Sequence, residues 1–239
     1  MTTSVDGTLS QYDQIGDRYL RDVESNDSWN NLYERPYMLG LIADRLPGSV
    51  LDLGAATGFY TRYFLDRGAS VIAVDKSRSM LLHIKGRVGE RVEVVEADLC
   101  DGVAFVPSAS QELVMASLVL HYLADWRALM ADIHRVLVPS GRLLASMHHP
   151  FSDFLAGKRV DYHGRVLVED IWGRGDNTYP VSYYSRGLQE VFAQLLSSGL
   201  RLSRLLEPVV PKGEQGARLG IDDAESLKPG LLFVELTKD

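Results

Sequence analysis

Val50-Leu51-Asp52-Leu53-Gly54-Ala55-Ala56-Thr57-Gly58 is the stretch from which the rest of the chain can be placed. An apolar run that stops at Asp52 and Gly54, with an amphipathic segment opening at Thr57, has the pattern of a buried parallel strand, a tight turn and a helix. A second short, β-branched run, Val71-Ile72-Ala73-Val74, ends on Asp75, which stands 21 positions after the first glycine (75 − 54). A separation of about 20 is the one at which a carboxylate meets the hydroxyls of a ribose held at such a turn. The expected ligand is a nucleoside with both ribose hydroxyls free.

The glycines choose between two such ligands. A dinucleotide pyrophosphate needs G-x-G-x-x-G, so that the backbone can approach the phosphates and the helix can pack against the strand. Here Ala56 and Phe59 stand where the second and third glycines belong, and a ring at 59 fits that close packing poorly. S-adenosylmethionine carries the same adenosine without a phosphate, so a glycine turn suffices and a bulky residue on the helix is tolerable. In this respect residues 52–58 resemble motif I of the class I S-adenosylmethionine-dependent methyltransferases, commonly Asp-Leu-Gly-x-Gly-x-Gly, with Ala56 as the departure.

Composition narrows the class from another direction. The chain has 239 residues, 46% hydrophobic and 24% charged, with a formal net charge of −7, and nothing in it marks a second core. An acidic chain is a poor candidate for sequence-independent phosphate binding, which uses many Lys and Arg contacts. The single Cys100 gives neither a disulfide framework nor a metal cluster. The N-terminus has no basic and apolar leader, and the longest apolar stretch, Leu113 to Leu123, falls short of the roughly 20 residues of a membrane span. A cytoplasmic protein acting on a small molecule is expected, with no nucleic-acid or membrane partner and no metal, as a monomer or homodimer.

Outward from the glycine turn, the periodicity predicts a helix over Leu9 to Val23 and another from Ser28 to Leu46, closed by Pro47-Gly48. Further helices are expected over Thr57 to Asp66, from a Ser77 cap to Lys85, over Ala124 to Leu137 and over Ser185 to Ser198. Strands are expected at Val50 to Leu53, Ser70 to Val74, Val92 to Val95, Glu112 to Ser117, Arg142 to Met147, Leu200 to Leu206 and Leu231 to Leu236. Between Phe151 and Tyr184 the periodicity fails and seven aromatics fall in 34 positions, about twice the 9% of the whole chain. That segment is either an insertion folding over the site or a dimer interface. Residues 208–230, rich in Gly, Pro and charge, are expected to form a mobile loop.

These elements give an α/β fold: a doubly wound, Rossmann-like, seven-stranded and mostly parallel sheet with its last strand antiparallel, helices on both faces and an N-terminal helical cap. It is one domain, with the cap at 1–47, a cofactor-binding core at 48–149, the aromatic insertion at 150–184 and a C-terminal helix and strand pair at 185–239. The resemblance to class I methyltransferases covers nearly all of it and implies S-adenosylmethionine as cofactor, leaving as S-adenosylhomocysteine. It implies Tyr12, in Tyr12-Asp13-x-Ile15, over the methionine end, where the helix could equally be a packing element. It implies contacts from Asp52, Gly54, Ala55, Gly58, Asp75 and Lys76, Met80 near the base, Asp98 and Leu99 at the adenine, and Ser117 after the fourth strand.

Tyr33-Glu34-Arg35-Pro36 is similar to a string the family carries on the acceptor side, so Tyr33, Glu34 and Arg35 are expected there with Tyr122, His148, Trp172 and Tyr183. His121 and His149 are candidates for a general base, a role worth roughly 10²- to 10⁴-fold where the acceptor carries a proton. Each could equally be a structural hydrogen bond. The nucleobase-methylating strings Asn-Pro-Pro-Tyr and Asp-Pro-Pro-Tyr are absent, as is a Pro-Cys nucleophile. The function expected is methyl transfer to O, N or C of a small organic acceptor. A cofactor-binding protein without catalysis, or a nicotinamide-dependent oxidoreductase, is the alternative.

Overall fold

A computed structural model describes residues 6–239, with the backbone alone at 6–12 and 14. The chain opens with α1 (Asp6–Glu24). A π-helical turn, Asn30–Glu34, then runs directly into α2 (Arg35–Ala43), which has Pro36 in its first turn. One continuous α-helix from Ser28 was expected. The widened turn at 30–34 instead lets Tyr33 and Glu34 both point inward, buried from solvent.

Next come β1 (Ser49–Leu53), α3 (Phe59–Leu65), β2 (Ser70–Asp75), α4 (Arg78–Val88), β3 (Glu93–Glu96), β4 (Gln111–Ser117), α5 (Arg127–Val136) and β5 (Leu137–His148). The seven-stranded sheet is completed by β8 (Arg201–Leu206) and β9 (Leu231–Thr237), in the order β3-β2-β1-β4-β5-β9-β8. Pairing is parallel from β3 through β5, while β9 runs antiparallel to both β5 and β8. The doubly wound fold with an antiparallel last strand is therefore as expected.

Both faces of the sheet are covered, which is why the central strands read as near-continuous apolar runs. Leu51 and Leu53 pack with α5 and with α7 (Leu188–Leu195), whereas Val50, Val71 and Ala73 pack with α2, α3 and α4. The chain leaves β1 toward β2 on one side and returns to β4 on the other, so a crevice opens at the carboxyl ends of these strands. Their last residues, Asp75 of β2, Leu53 of β1 and Ser117 of β4, stand side by side along its floor.

Two segments differ from expectation. After α6 (Pro150–Leu155), the aromatic stretch folds as a two-stranded hairpin, β6 (Arg165–Arg174) and β7 (Asn177–Arg186). Alternate residues of β7, Tyr179, Val181, Tyr183 and Ser185, are buried. The stretch at 208–230, expected to be a loop, contains α8 (Gly213–Leu219). No helix among the described residues is long and apolar enough to cross a membrane.

Candidate functional site

The turn after β1 is shaped by backbone geometry. Gly54 has φ of 66°, and a Cβ there would lie 2.4 Å from Cγ2 of Val119, so only glycine lets the turn close against that side chain. Gly54 and Ala55 donate to the carbonyl of Val74 at 2.8 and 3.0 Å, tying the turn to β2. Ala56 holds φ of 44°, the left-handed region that motif I fills with glycine, at a cost of roughly 1 kcal/mol. Its N–H is thereby turned onto Oδ2 of Asp75 at 2.9 Å, while Ser77 N–H donates to Oδ1 at 2.9 Å. Asp75 is held from both sides, open to the crevice but deep in the protein, and burial raises its carboxyl above the usual range against those two bonds. Gly58, at φ of 70°, forms the N-cap of α3 with its missing Cβ 2.8 Å from Ile84.

Around this turn lies a cavity of about 170 Å³. Its lining includes Asp52, Gly54, Ala55, Asp75, Lys76, Met80, Asp98, Leu99 and Ser117 from the expected cofactor set, and Arg35 and Tyr122 from the expected acceptor set. Asp52 is 2% exposed, accepts from Thr61 Oγ1 at 2.6 Å, and is pushed up to about 6 by burial. Asp98 accepts from the Cys100 N–H at 3.0 Å and from Lys76 Nζ at 2.6 Å. Burial raises the Asp98 carboxyl, but the hydrogen bonds from Lys76 and Cys100 and the charge of Lys76 together outweigh it and leave the group below the usual range. Ser77, the N-cap of α4, also donates to Asp13 of α1 at 2.5 Å, so the covering helix is fastened to the rim.

The donor and acceptor inventory tests which ligand fits. Three carboxylates line the cavity and one of its two cations, Lys76, is already bound to Asp98. Such a site suits a ligand that brings hydroxyl donors and positive charge, and opposes a diphosphate. S-adenosylmethionine, with a ribose, a sulfonium and an ammonium, fits.

Comparison with known proteins agrees. Residues 51–145 match a methyltransferase domain family. The solved structure of an S-adenosylmethionine-dependent methyltransferase from Mesorhizobium loti superposes with a TM-score of 0.66 at 24% identity, over 86% of this chain and 97% of that one. The chain belongs to the class I S-adenosylmethionine-dependent methyltransferases. An uncharacterized protein of Haemophilus influenzae is 30% identical over 229 residues, covering 88% of this methyltransferase and 89% of that protein. The 1,6-didemethyltoxoflavin N1-methyltransferase of Burkholderia thailandensis, solved with its acceptor and S-adenosylhomocysteine, superposes with a TM-score of 0.58 at 21% identity, over 95% and 87% of the two chains. The cofactor of this methyltransferase is S-adenosylmethionine.

The structure separates the remaining expected residues into three groups. Tyr12 lies on α1, but its side chain falls outside the described residues. Beyond Tyr122 stands an aromatic wall: His148 lies 4.4 Å from His121, 5.3 Å from Trp172 and 4.8 Å from Tyr183, between ring centres. Tyr33 is elsewhere, fully buried with its hydroxyl on the Pro208 carbonyl at 2.6 Å and its ring against Phe233.

Neither histidine expected as a base lines the cofactor cavity. His149 caps α6, its Nδ1 accepting from the Phe151 N–H at 3.2 Å, which leaves Nε2 as the protonated nitrogen, donating to Glu207 at 2.6 Å. His121 is 3% exposed with neither ring nitrogen hydrogen-bonded among the described residues. Burial first, then His148 beside it, hold its pKa well below the ordinary value. His148 shares its wall and, unlike His121, is only half-buried.

Glu34 is the group whose role the sequence did not suggest. It accepts from Tyr60 Oη of α3 at 2.7 Å, Ser117 Oγ of β4 at 2.8 Å and Ser146 Oγ of β5 at 2.7 Å. Three elements and the N-terminal cap thus meet on one carboxylate, which is fully buried. Burial raises its pKa, and the three hydroxyls restrain that rise.

Proposed function

We propose that this methyltransferase transfers a methyl group to an O, N or C atom of a small organic acceptor, held in line behind the sulfonium in a closed aromatic pocket. When bound, the cofactor supplies an electrophilic methyl carbon on a positively charged sulfur. The residues of the chain orient the two partners and exclude water, which favours a reaction that disperses charge. The observation that carries the small-molecule reading is the roof. Arg18 of α1 donates to the Thr178 carbonyl at 3.3 Å, Asn177 of β7 to the Arg18 carbonyl at 3.1 Å, and Tyr179 Oη to Asp22 at 2.6 Å. With Tyr19 set edge-on to Tyr179, the hairpin braces α1, whose Tyr19 and Val23 line the cavity, a covering that favours a small acceptor over a macromolecular strand. In this reading the domain keeps the four parts expected from sequence, the cap and the insertion forming the roof.

Adenine lies toward Asp98 and Leu99 and the ribose hydroxyls on Asp75. The acceptor lies toward the carboxyl end of β5, among Tyr122, His148, Trp172 and Tyr183. Of the three histidines there, His148 is the one that takes a proton where the acceptor must lose one. Labelled S-adenosylmethionine incubated with fractionated cell extract should deliver its methyl group to a compound of low molecular mass, and not with the Asp75→Ala variant. Label recovered in RNA or protein instead would overturn the acceptor class.

Asp52 makes binding depend on pH. Its folded carboxyl titrates at about 6 against an ordinary 3.8, so the native chain holds this proton more firmly than the unfolded one. Its contribution to stability is therefore fully present below about 4 and lost as pH rises through 6. A cofactor bringing an ammonium binds the ionised form. The dissociation constant of S-adenosylhomocysteine should fall about tenfold from pH 5 to pH 7, and the Asp52→Asn variant should lose that slope. Equal slopes in the two proteins would remove Asp52 from the amino-acid end of the site.

A further inference from the structure

Asp153, on α6, is 4% exposed, and no basic side chain lies within 4 Å of its carboxylate among the described residues. Its Oδ1 accepts from Tyr183 Oη of β7 at 2.7 Å. A buried carboxylate is costly unless a positive charge or several hydrogen bonds complete it. The neighbours of Asp153 decide where such a charge can arise. It lines a small cavity of about 20 Å³ together with His121, His148 and Arg186.

Arg186 is already committed: its guanidinium donates to the carbonyls of Leu123, Ala124 and Tyr184 and has Glu190 3.8 Å away. His121 stays neutral, because burial, then His148 and Arg186, hold its pKa well below the ordinary value. That leaves His148, whose imidazole lies flat on His121, 18° between the planes, and edge-on to Tyr183 at 85°. From β6, Trp172 faces it, and Asp170 is taken by Lys158 Nζ at 2.6 Å and by the indole N–H of Trp172 at 3.0 Å. From β9, the apolar Leu231 stands opposite it. Burial lowers the pKa of His148; Asp153 is the largest influence against that, while Lys158 adds to the fall and Asp170 opposes it.

We propose that Asp153 is the counter-charge of the acceptor site: its carboxylate, fixed by Tyr183, stabilises His148 once that residue has taken the acceptor's proton. This rests on the reading that His148 takes that proton. The acceptor atom uses a lone pair to bond the methyl carbon, and the carbon–sulfur pair returns to sulfur. The acceptor's proton moves to a lone pair on the imidazole, and the electron pair of the bond it leaves stays on the acceptor atom. One unit of positive charge therefore leaves the cofactor cavity and arrives on His148. Burial opposes that arrival, and the negative charge of Asp153 offsets it. Acting through His148, Asp153 is a positioning residue.

The test reads imidazole protonation directly, from nitrogen–proton correlation spectra of the full-length protein saturated with S-adenosylhomocysteine, with His148 identified by the signal lost in His148→Gln. Asp153→Asn still accepts from Tyr183 but carries no charge. In that variant the His148 pKa should fall by about one unit, roughly tenfold in proton affinity, while His149, which caps the same helix, stays within about 0.2 unit of wild type. A reciprocal measurement leaves Asp153 in place, so it gives a readout even where Asp153→Asn does not fold. The carboxyl carbon of Asp153 should shift in a step at the pKa of His148, and the step should vanish in His148→Gln. A His148 pKa unchanged in Asp153→Asn, an equal shift at His149, or an Asp153 carbon without that step overturns the proposal. Methyl transfer from labelled S-adenosylmethionine that is undiminished in His148→Gln would instead strike the reading on which it rests.

Discussion

Asp75→Ala should weaken S-adenosylhomocysteine binding by about 100-fold or more. Hydrogen bonds from neutral donors to a charged group contribute about 1.5–3 kcal/mol each, and a ribose offers two. The geometry makes the loss larger than the contacts alone. Both oxygens of Asp75 already accept backbone N–H groups, from Ala56 and Ser77, at 2.9 Å each, so the carboxylate arrives pre-aimed and also holds the Ala56 peptide in its left-handed turn. Removing it disorders the cradle as well as the contact. Asp75→Asn should be poorly tolerated for the same reason, because an amide cannot accept at both positions. The 2′-deoxy analogue of S-adenosylhomocysteine should lose much less on going to the alanine variant. Affinity within threefold of wild type, in a variant that melts normally, would mean that the sugar is bound elsewhere.

Glu34→Ala should cost about 3–5 kcal/mol of stability, seen as a fall of about 10 °C or more in melting temperature. Three hydroxyls would lose their acceptor at once, with Tyr60 at 6% and Ser146 at 0% exposure, and an unsatisfied buried donor costs about 1–3 kcal/mol. The guanidinium of Arg35, disfavoured by burial, would also lose a carboxylate that, after Tyr60, favours its protonated form. Glu34→Gln should cost clearly less, because one oxygen still accepts and a hydroxyl can rotate to accept from the amide. A melting temperature within 2 °C of wild type for the alanine variant would show that the hydroxyls re-pair without it.

The central sheet was legible because strands buried on both faces leave continuous apolar runs, and glycine with a capping serine punctuates them. That Asp75 and Asp98 line the cavity was legible for a related reason: a doubly wound sheet opens its crevice at strand ends, so an acid at the end of such a run faces it. The hairpin was not. Val168, Tyr179, Val181 and Tyr183 face inward, but Val166, Leu167 and Ile171 are exposed on the same two strands, so the alternation that marks a half-buried strand is blurred. The turn between them, Gly175-Asp176, was the available signal.

Side chains in irregular segments escaped for another reason. Tyr33, Glu34 and Arg35 are consecutive, yet they go to the core, to the sheet hydroxyls and to the cofactor cavity, because the widened turn directs each differently. His121 and His149 were placed at the right strand ends, but a tight turn buries the first and a helix cap uses the second. Spacing along the chain encodes neither outcome.

The bonds between α1 and the hairpin have a consequence for turnover. Helix α1 and the hairpin are joined by Arg18, Asn177 and the Tyr179–Asp22 pair, so in the proposed reading, with the nucleoside under the helix and the acceptor beside the ribbon, they act as a single shutter. Whichever guest orders that shutter first prepays part of its cost for the second, and by thermodynamic reciprocity each then tightens the other by the same factor. On that reading, spent nucleoside and methylated product should leave through one shared opening.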